Sequence, residues 1–74
     1  MEKISINTIS INLDQFLKLV SAVDSGGKVK LLIADGLIKV NGNLVTERRK
    51  KLYSGDIVEV EELGCWEVAD QENP

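Results

Sequence analysis

Histidine is absent from this sequence of 74 residues, and cysteine occurs once, as Cys65. A catalytic triad that depends on an imidazole base is therefore excluded. A single cysteine cannot form an intramolecular disulfide, which makes a reducing cytoplasm the expected setting. Without histidine and with one cysteine, the sequence has too few ligands for a structural zinc site. Because Cys65 has no histidine to act as its base, we expect a structural cysteine, no catalytic residue, no metal and no cofactor.

Long apolar runs are also missing. No stretch approaches the roughly 20 apolar residues that cross a bilayer, and the start, MEKISINTIS, lacks the order of a secretory signal. A chain of this length buries only about 60% of the surface of its unfolded state, which leaves room for one small core. The hydrophobic content of 43% nevertheless indicates a folded chain. We expect one cytoplasmic domain.

Cations and acids are segregated along the chain. Residues 1–58 contain all nine Lys and Arg residues and six acids, which gives +3, whereas residues 59–74 contain six acids and no cation, which gives −6. A basic body with an acidic tail is typical of some nucleic-acid-binding proteins. Both regions would equally serve as solvated faces that keep a protein soluble. The tail would then either compete with a nucleic acid for the cations or only add solubility.

Hydrophobic periodicity predicts a strand followed by a helix in the first third of the chain. Ile4 and Ile6 alternate with polar neighbours, as in a short strand. Four apolar residues then recur at the spacing of one helical face, namely Leu13, Phe16, Leu17 and Val20. Ser10 or Asn12 is placed to cap this helix, which should end near Val23.

A second helix follows almost at once. Ser25 or Gly27 can cap it, and its apolar face consists of Val29, Leu32 and Ile33. Gly36 stands where a helix ends by adopting a left-handed conformation. The short connection predicts that the two helices form a compact pair.

From Gly36 onward the hydrophobic period becomes two. Residues 38–40 and 44–45 flank Asn41-Gly42, which is the strongest short signal of a hairpin turn. Residues 57–61 then predict a last strand. Trp66 and Val68 either add a short extension to this strand or simply pack back on the sheet. The order predicts an α+β domain in which two adjacent helices pack on a small antiparallel sheet. We assign it to residues 1–62, with its motif in 13–60, and treat residues 63–74 as an acidic, partly frayed C-terminal extension.

Four consecutive cations, the basic run of residues 48–51, lie in the connection between two predicted strands. Arg48, Arg49, Lys50 and Lys51 repel one another unless solvent or a polyanion compensates their charge. Arg also offers a planar fork that matches phosphate oxygens. The run is therefore a candidate binding site for nucleic acid, although a solvated loop that protects a sheet edge would have the same composition.

Cations near the second helix favour the binding interpretation. Lys28 and Lys30 lie in its first turns, where the helix dipole attracts anions, and Lys18 lies off the apolar face of the first helix. Gly26 and Gly27 leave the backbone N–H groups of this terminus open to a phosphate. The glycines would also make a tight turn between the helices, whether or not a phosphate binds.

Three residues are aromatic. We expect Phe16 to lie in the core and Trp66 to cover the sheet, whereas Tyr53 follows the basic run and is placed to stack on a base. Packing is the commoner role of a lone tyrosine, so both roles stay open for Tyr53.

The stretches LDQFLKLV, SGGKVKLLIADGLIKVNG and RRKKLYSGDIVEV resemble the RNA-binding domain of the fourth small-subunit ribosomal protein, the S-four-like or αL-type family. The length and SGGKVK are most similar to its small stand-alone bacterial members, the YaaA/YbcJ-like proteins. The resemblance implies a monomer that binds structured RNA without catalysis, with ribosomal RNA or a ribosome-assembly intermediate as its target.

Carried over by position, the residues expected at the RNA are Lys18, Ser25, Gly26, Gly27, Lys28, Lys30, Arg48, Arg49, Lys50, Lys51 and Tyr53. Many family members have Ser-Arg-Ser where this sequence has Ser25-Gly26-Gly27. A common RNA-contacting Arg is thus missing, and we expect Lys28 to compensate for it.

A protein–protein adaptor is the alternative. VNGNLV and SGDIVEV also resemble segments of ubiquitin-like sulfur carriers, which act through a C-terminal Gly-Gly. This sequence ends Glu-Asn-Pro, and two adjacent helices before the hairpin fit that fold poorly, so an adaptor would have to work without carrier chemistry.

Overall fold

The computed structural model describes residues 1–70, which form seven strands and two helices. The strands are β1 (Glu2–Ile6), β2 (Ser10–Asn12), β3 (Ile38–Val40), β4 (Asn43–Leu44), β5 (Lys51–Tyr53), β6 (Ile57–Val60) and β7 (Gly64–Asp70); the helices are α1 (Leu13–Leu19) and α2 (Gly26–Ala34). The α+β class and the adjacent helix pair are as the sequence predicts.

The main sheet has five strands in the order β1-β7-β6-β3-β4. Its β3, β4, β6 and β7 pair antiparallel, but β1 pairs parallel with β7, so the sheet is mixed rather than wholly antiparallel. Parallel pairing is possible because both helices and the hairpin lie between these two strands in the chain. A separate two-stranded ribbon joins β2 to β5.

Strand β7 corrects the predicted domain boundary at residue 62. It lies between β1 and β6, and its Trp66 and Val68 are buried. Residues 64–70 are therefore part of the folded sheet and not an extension of it. The part of the predicted fraying that concerns residues 71–74 lies outside the described residues.

One hydrophobic core fills the space between the helices and the inner face of the sheet. Its buried members are Ile6, Leu13, Phe16, Leu17, Val23, Val29, Ile38, Val40, Val45, Leu52, Val58, Val60, Trp66 and Val68. Phe16 and Trp66 thus have the packing roles that the sequence predicts. Among residues 1–70, no helix is both long enough and apolar enough to span a membrane.

Helix α1 is shorter than predicted, since it ends at Leu19 instead of Val23. Ser21 adopts a left-handed backbone with φ of 62°. The N–H of Ala22 donates to the carbonyl of Leu17 at 2.9 Å, which closes the helix end. A serine at this position gives a weaker stop signal in sequence than a glycine, which explains the wrong boundary.

Helix α2 ends as predicted. Gly36 has φ of 70°, and the N–H of Leu37 donates to the carbonyl of Leu32 at 3.0 Å. This is the left-handed glycine stop that positions the chain for β3.

Candidate nucleic-acid interface

The basic run is anchored to the start of α1. The N–H of Leu13 donates to the carbonyl of Lys50 at 2.8 Å, and the N–H of Asp14 donates to the carbonyl of Arg48 at 3.0 Å. Lys51 already belongs to β5, where it pairs with Asn12. The backbone of the run is therefore fixed against the start of α1 and against β2, and the run is not a free loop.

The side chain of Arg48 reaches the first residue of α2. A Cβ atom added to Gly26 would lie 3.5 Å from Arg48 Nη1 and 3.9 Å from Asp14 Oδ2. Arg48 is half-buried, whereas Arg49, Lys50 and Lys51 are exposed. The structure thus brings the basic run and the glycine pair together, which no local sequence pattern indicates.

The two helix N-termini differ in whether their N–H groups are occupied. At α1, the basic run accepts two of them, and Asp14 Oδ1 accepts a third from Gln15 at 2.8 Å. At α2, Ser25 has the extended backbone of a cap residue but makes no side-chain cap hydrogen bond, and the first turn contains no acid. Among the described residues, no hydrogen bond is made by the first N–H groups of α2, and the nearest carboxylate oxygen at Gly26, Asp14 Oδ2, lies 3.9 Å from the position of an added Cβ atom. This terminus is the one that can receive an anion.

Gly26 and Gly27 lie inside α2 as its first two residues, and not in the turn between the helices. Neither has the positive φ that requires glycine. The two glycines give α2 an N-terminus without side chains. The guanidinium of Arg48 lies beside the first of them, Gly26.

Lys18 and Lys28 line one shallow depression together with Asp24. Lys28 Nζ lies 3.6 Å from Asp24 Oδ1, with both side chains largely exposed. An exposed pair of this kind contributes little to stability. The carboxylate nevertheless offsets part of the charge that the sequence assigns to this region.

Lys30 lies on a different side of α2 from Lys28, because Val29 between them is buried. It follows Gly26 by four residues, so both share the helix face on which Arg48 lies. Helical spacing therefore places Lys30 on the Gly26 side of α2 rather than on the side of Lys28.

Tyr53 and Lys51 project from the same side of β5, opposite the buried Leu52. The side chain of Tyr53 is 49% exposed, whereas the aromatic rings of Phe16 and Trp66 are buried. Tyr53 is thus the one aromatic residue among residues 1–70 that offers much of its surface to a partner.

The acidic segment does not form a tail over the described residues. Glu59, Glu67 and Asp70 belong to β6 and β7, and Glu61 and Glu62 lie in the turn between them. The N–H of Glu61 donates to the carbonyl of Leu37, just beyond the C-terminal end of α2. Glu61 therefore lies near the end of α2 that is about 13 Å from Gly26 along the helix axis. The acids of residues 59–70 are fixed in β6, β7 and the turn between them, so they are not a free tail. Competition with a nucleic acid and added solubility both stay predictions for this segment.

Comparison with known proteins gives a consistent result. A family model described as "S4 domain" matches residues 4–68, a region that includes both helices, the basic run and most of β7. The chain is also 42% identical over 67 residues to the "Probable ribosome maturation protein RlbA" of Bacillus subtilis (strain 168), which covers 90% of this chain and 94% of that protein. The chain belongs to the S4 domain family.

Proposed function

We propose that this protein binds structured RNA without catalysing a reaction, acting as a cytoplasmic monomer on ribosomal RNA or on a ribosome-assembly intermediate. The observation that carries the proposal is the position of the Arg48 guanidinium beside the N-terminus of α2, which has no side-chain cap hydrogen bond. A phosphate there would accept hydrogen bonds from the backbone N–H groups and from the Arg48 guanidinium at the same time.

The remaining cations extend this contact in two directions. Lys30 follows along the exposed side of α2, while Arg49, Lys50 and Lys51 are exposed where the basic run enters β5. Phosphate contacts of this kind position a protein on RNA, and the shape of the RNA then decides the target. The printed name of the Bacillus relative, which refers to ribosome maturation, favours a ribosomal target.

Arg48 takes over the role of the Arg that many S-four-like proteins have at the position of Gly26. Its Nη1 lies 3.5 Å from the point at which a side chain on Gly26 would begin. Lys28, which the sequence suggested as the substitute, is instead paired with Asp24. The guanidinium would thus reach the same phosphate from the basic run.

A rescue experiment tests this assignment. Arg48→Ala should weaken binding to a structured fragment of ribosomal RNA about tenfold or more, and Gly26→Arg in that background should restore much of the affinity, as measured by fluorescence anisotropy. Lys3→Ala, which removes an exposed cation from β1, is the matched control and should have little effect. Unchanged RNA affinity of the Arg48→Ala variant would contradict the proposed contact between Arg48 and a phosphate.

A test in cells separates RNA binding from an adaptor role. Ultraviolet crosslinking followed by sequencing of the attached RNA should recover ribosomal RNA with the unaltered protein and much less with Arg48→Ala. Recovery of partner proteins with no RNA would overturn the proposal.

A further inference from the structure

A second concave site lies between the hairpin turn and the end of the basic run. It is a pocket of about 320 Å³, at the small end of the range for ligand sites. Its rim combines the hairpin turn with the end of the basic run, and the residues that matter here are Asn43, Glu47, Lys50, Lys51, Tyr53 and Asp56.

Hydrogen bonds fix the floor of this pocket. Asp56 Oδ2 accepts the N–H of Tyr53 at 2.8 Å, and Asp56 Oδ1 accepts the side-chain amide of Asn41 at 3.0 Å. Asn41 Oδ1 in turn accepts the N–H of Ile57 at 2.9 Å. These bonds join the hairpin turn, β5 and β6, so the backbone that carries Tyr53 is held against the hairpin. The site is therefore formed before any ligand arrives.

The groups that remain free around the pocket suit a nucleotide. Within residues 1–70, Lys50 and Lys51 form no ion pair, and the side chain of Asn43 makes no hydrogen bond. Asn43 can donate to and accept from a base edge, and the Glu47 carboxylate can accept from an exocyclic amino group. The half-exposed ring of Tyr53 adds a surface for stacking.

The charge balance favours a base over a second phosphate in the pocket itself. Glu47 and Asp56 offset Lys50 and Lys51 there, so the pocket has no net charge. The exposed Lys51 instead lies two residues from Tyr53 on the same side of β5, about 7 Å along the strand. A phosphate at Lys51 would then place its neighbouring base near the tyrosine ring.

We propose that this pocket receives one unstacked base of the bound RNA, with Tyr53 as the stacking residue and Asn43 and Glu47 at the base edge. The proposal rests on the RNA binding proposed above and specifies its substrate class. The preferred RNA has a bulged or loop nucleotide next to a helix, because a continuous duplex keeps its bases stacked and out of reach.

Two RNA hairpins test the proposal, identical except that one has a single-nucleotide bulge in its stem. Binding is measured by anisotropy at one fixed salt concentration. The unaltered protein should bind the bulged hairpin about 5- to 100-fold more tightly, as expected for stacking of one base on an aromatic ring. Equal affinity for both hairpins would overturn the base pocket while leaving RNA binding intact. Absence of binding to either hairpin would overturn the proposed function itself.

Matched variants identify the residue responsible. Tyr53→Leu should abolish the preference for the bulged hairpin, whereas Tyr53→Phe should keep it. Both variants retain the backbone bond to Asp56, and their thermal melting should match that of the unaltered protein. A Tyr53→Leu variant that still prefers the bulged hairpin, or loses affinity equally for both, would contradict the role of Tyr53.

Discussion

Single residues control how an anion reaches the start of α2. Arg48 approaches Gly26 from the basic run, and the missing side chain leaves the first N–H groups of the helix accessible. Gly27 is equally helical, but a Cβ atom there would meet only Ser25 Oγ, at 3.8 Å. The two glycines therefore differ in their surroundings and not in their backbone.

Alanine at either glycine should separate stability from binding. Gly26→Ala and Gly27→Ala should each stabilise the fold by up to about 1 kcal/mol, because alanine is the better helix former and neither added methyl group clashes. With Arg48 in place, only Gly26→Ala should weaken RNA binding several-fold, since its methyl group would contact the guanidinium that the phosphate has to reach. The Gly26→Arg rescue differs because Arg48 is absent from that variant. Urea denaturation and anisotropy provide the two measurements. Equal losses of affinity in both variants would exclude a phosphate at this position.

Gly36 shows the opposite requirement, namely a backbone that only glycine adopts freely. No atom lies within 4 Å of a Cβ added there, so its φ of 70° is the constraint. Gly36→Val should destabilise the fold by about 1–2 kcal/mol more than Gly36→Asn, because Asn tolerates the left-handed region. Equal stabilities in urea denaturation would show that α2 can end in another way.

At the level of secondary structure, the well-predicted elements are those with strong local signals. Both helices, the hairpin at Asn41-Gly42 and β6 follow from period and turn residues; Asn41 and Gly42 indeed have φ of 52° and 85°. The strands β2 and β5 have three residues each, too few to show a period. The pairing of β1 with β7 joins opposite ends of the described chain, and no local pattern encodes it.

The candidate site likewise has features that the sequence predicts and features that only the tertiary structure shows. The sequence shows four adjacent cations and a glycine pair, but the 3.5 Å approach of Arg48 to Gly26 depends on how the basic run packs against α1. The hydrogen bond between Asn41 and Asp56 was equally hidden, because it connects the side chains of residues that are 15 apart. Contacts of this kind arise from tertiary structure, whereas composition shows only which groups are available.

Asp56 should prove important for the stability of the hairpin region. Asp56→Ala removes the acceptor of the N–H of Tyr53 and of the amide of Asn41, and because both bonds are exposed to solvent this should cost about 0.5–1.5 kcal/mol. Asp56→Asn keeps one acceptor oxygen and should lose less. Urea denaturation of both variants is the measurement, and unchanged stability in Asp56→Ala would mean that these bonds contribute nothing.

At the scale of the whole molecule, the positions of the charged side chains matter more for attracting a polyanion than the net charge does. The protein has a net charge of −3, yet its four adjacent cations lie beside the N-terminus of α2, where Asp14 is the neighbouring acid, and Glu61 lies beyond the other end of the helix. On the outer face of the sheet, the cations are instead balanced by acids, because Lys3 pairs with Glu67 and Lys39 with Glu59 across neighbouring strands. The face that includes the basic run should therefore attract a polyanion despite the overall sign.

Two double variants with the same change in net charge test this statement. Replacing Arg49 and Lys50 by Ala should reduce RNA affinity strongly, whereas replacing Lys3 and Lys39 by Ala should change it little. All four side chains are exposed, so both variants should keep the free energy of unfolding within about 0.5 kcal/mol. Equal losses of affinity would mean that net charge, and not the basic run, governs binding.

The most direct measurement is the salt dependence of RNA affinity for the unaltered protein and for a variant with Ala at all four positions of the basic run. Contacts to about four phosphates predict a log–log slope near −3, from roughly 0.7 per phosphate. The variant should show weak binding with a much flatter slope, at almost unchanged thermal stability. A flat response of the unaltered protein, or the same slope in both proteins, would contradict phosphate recognition by the basic run.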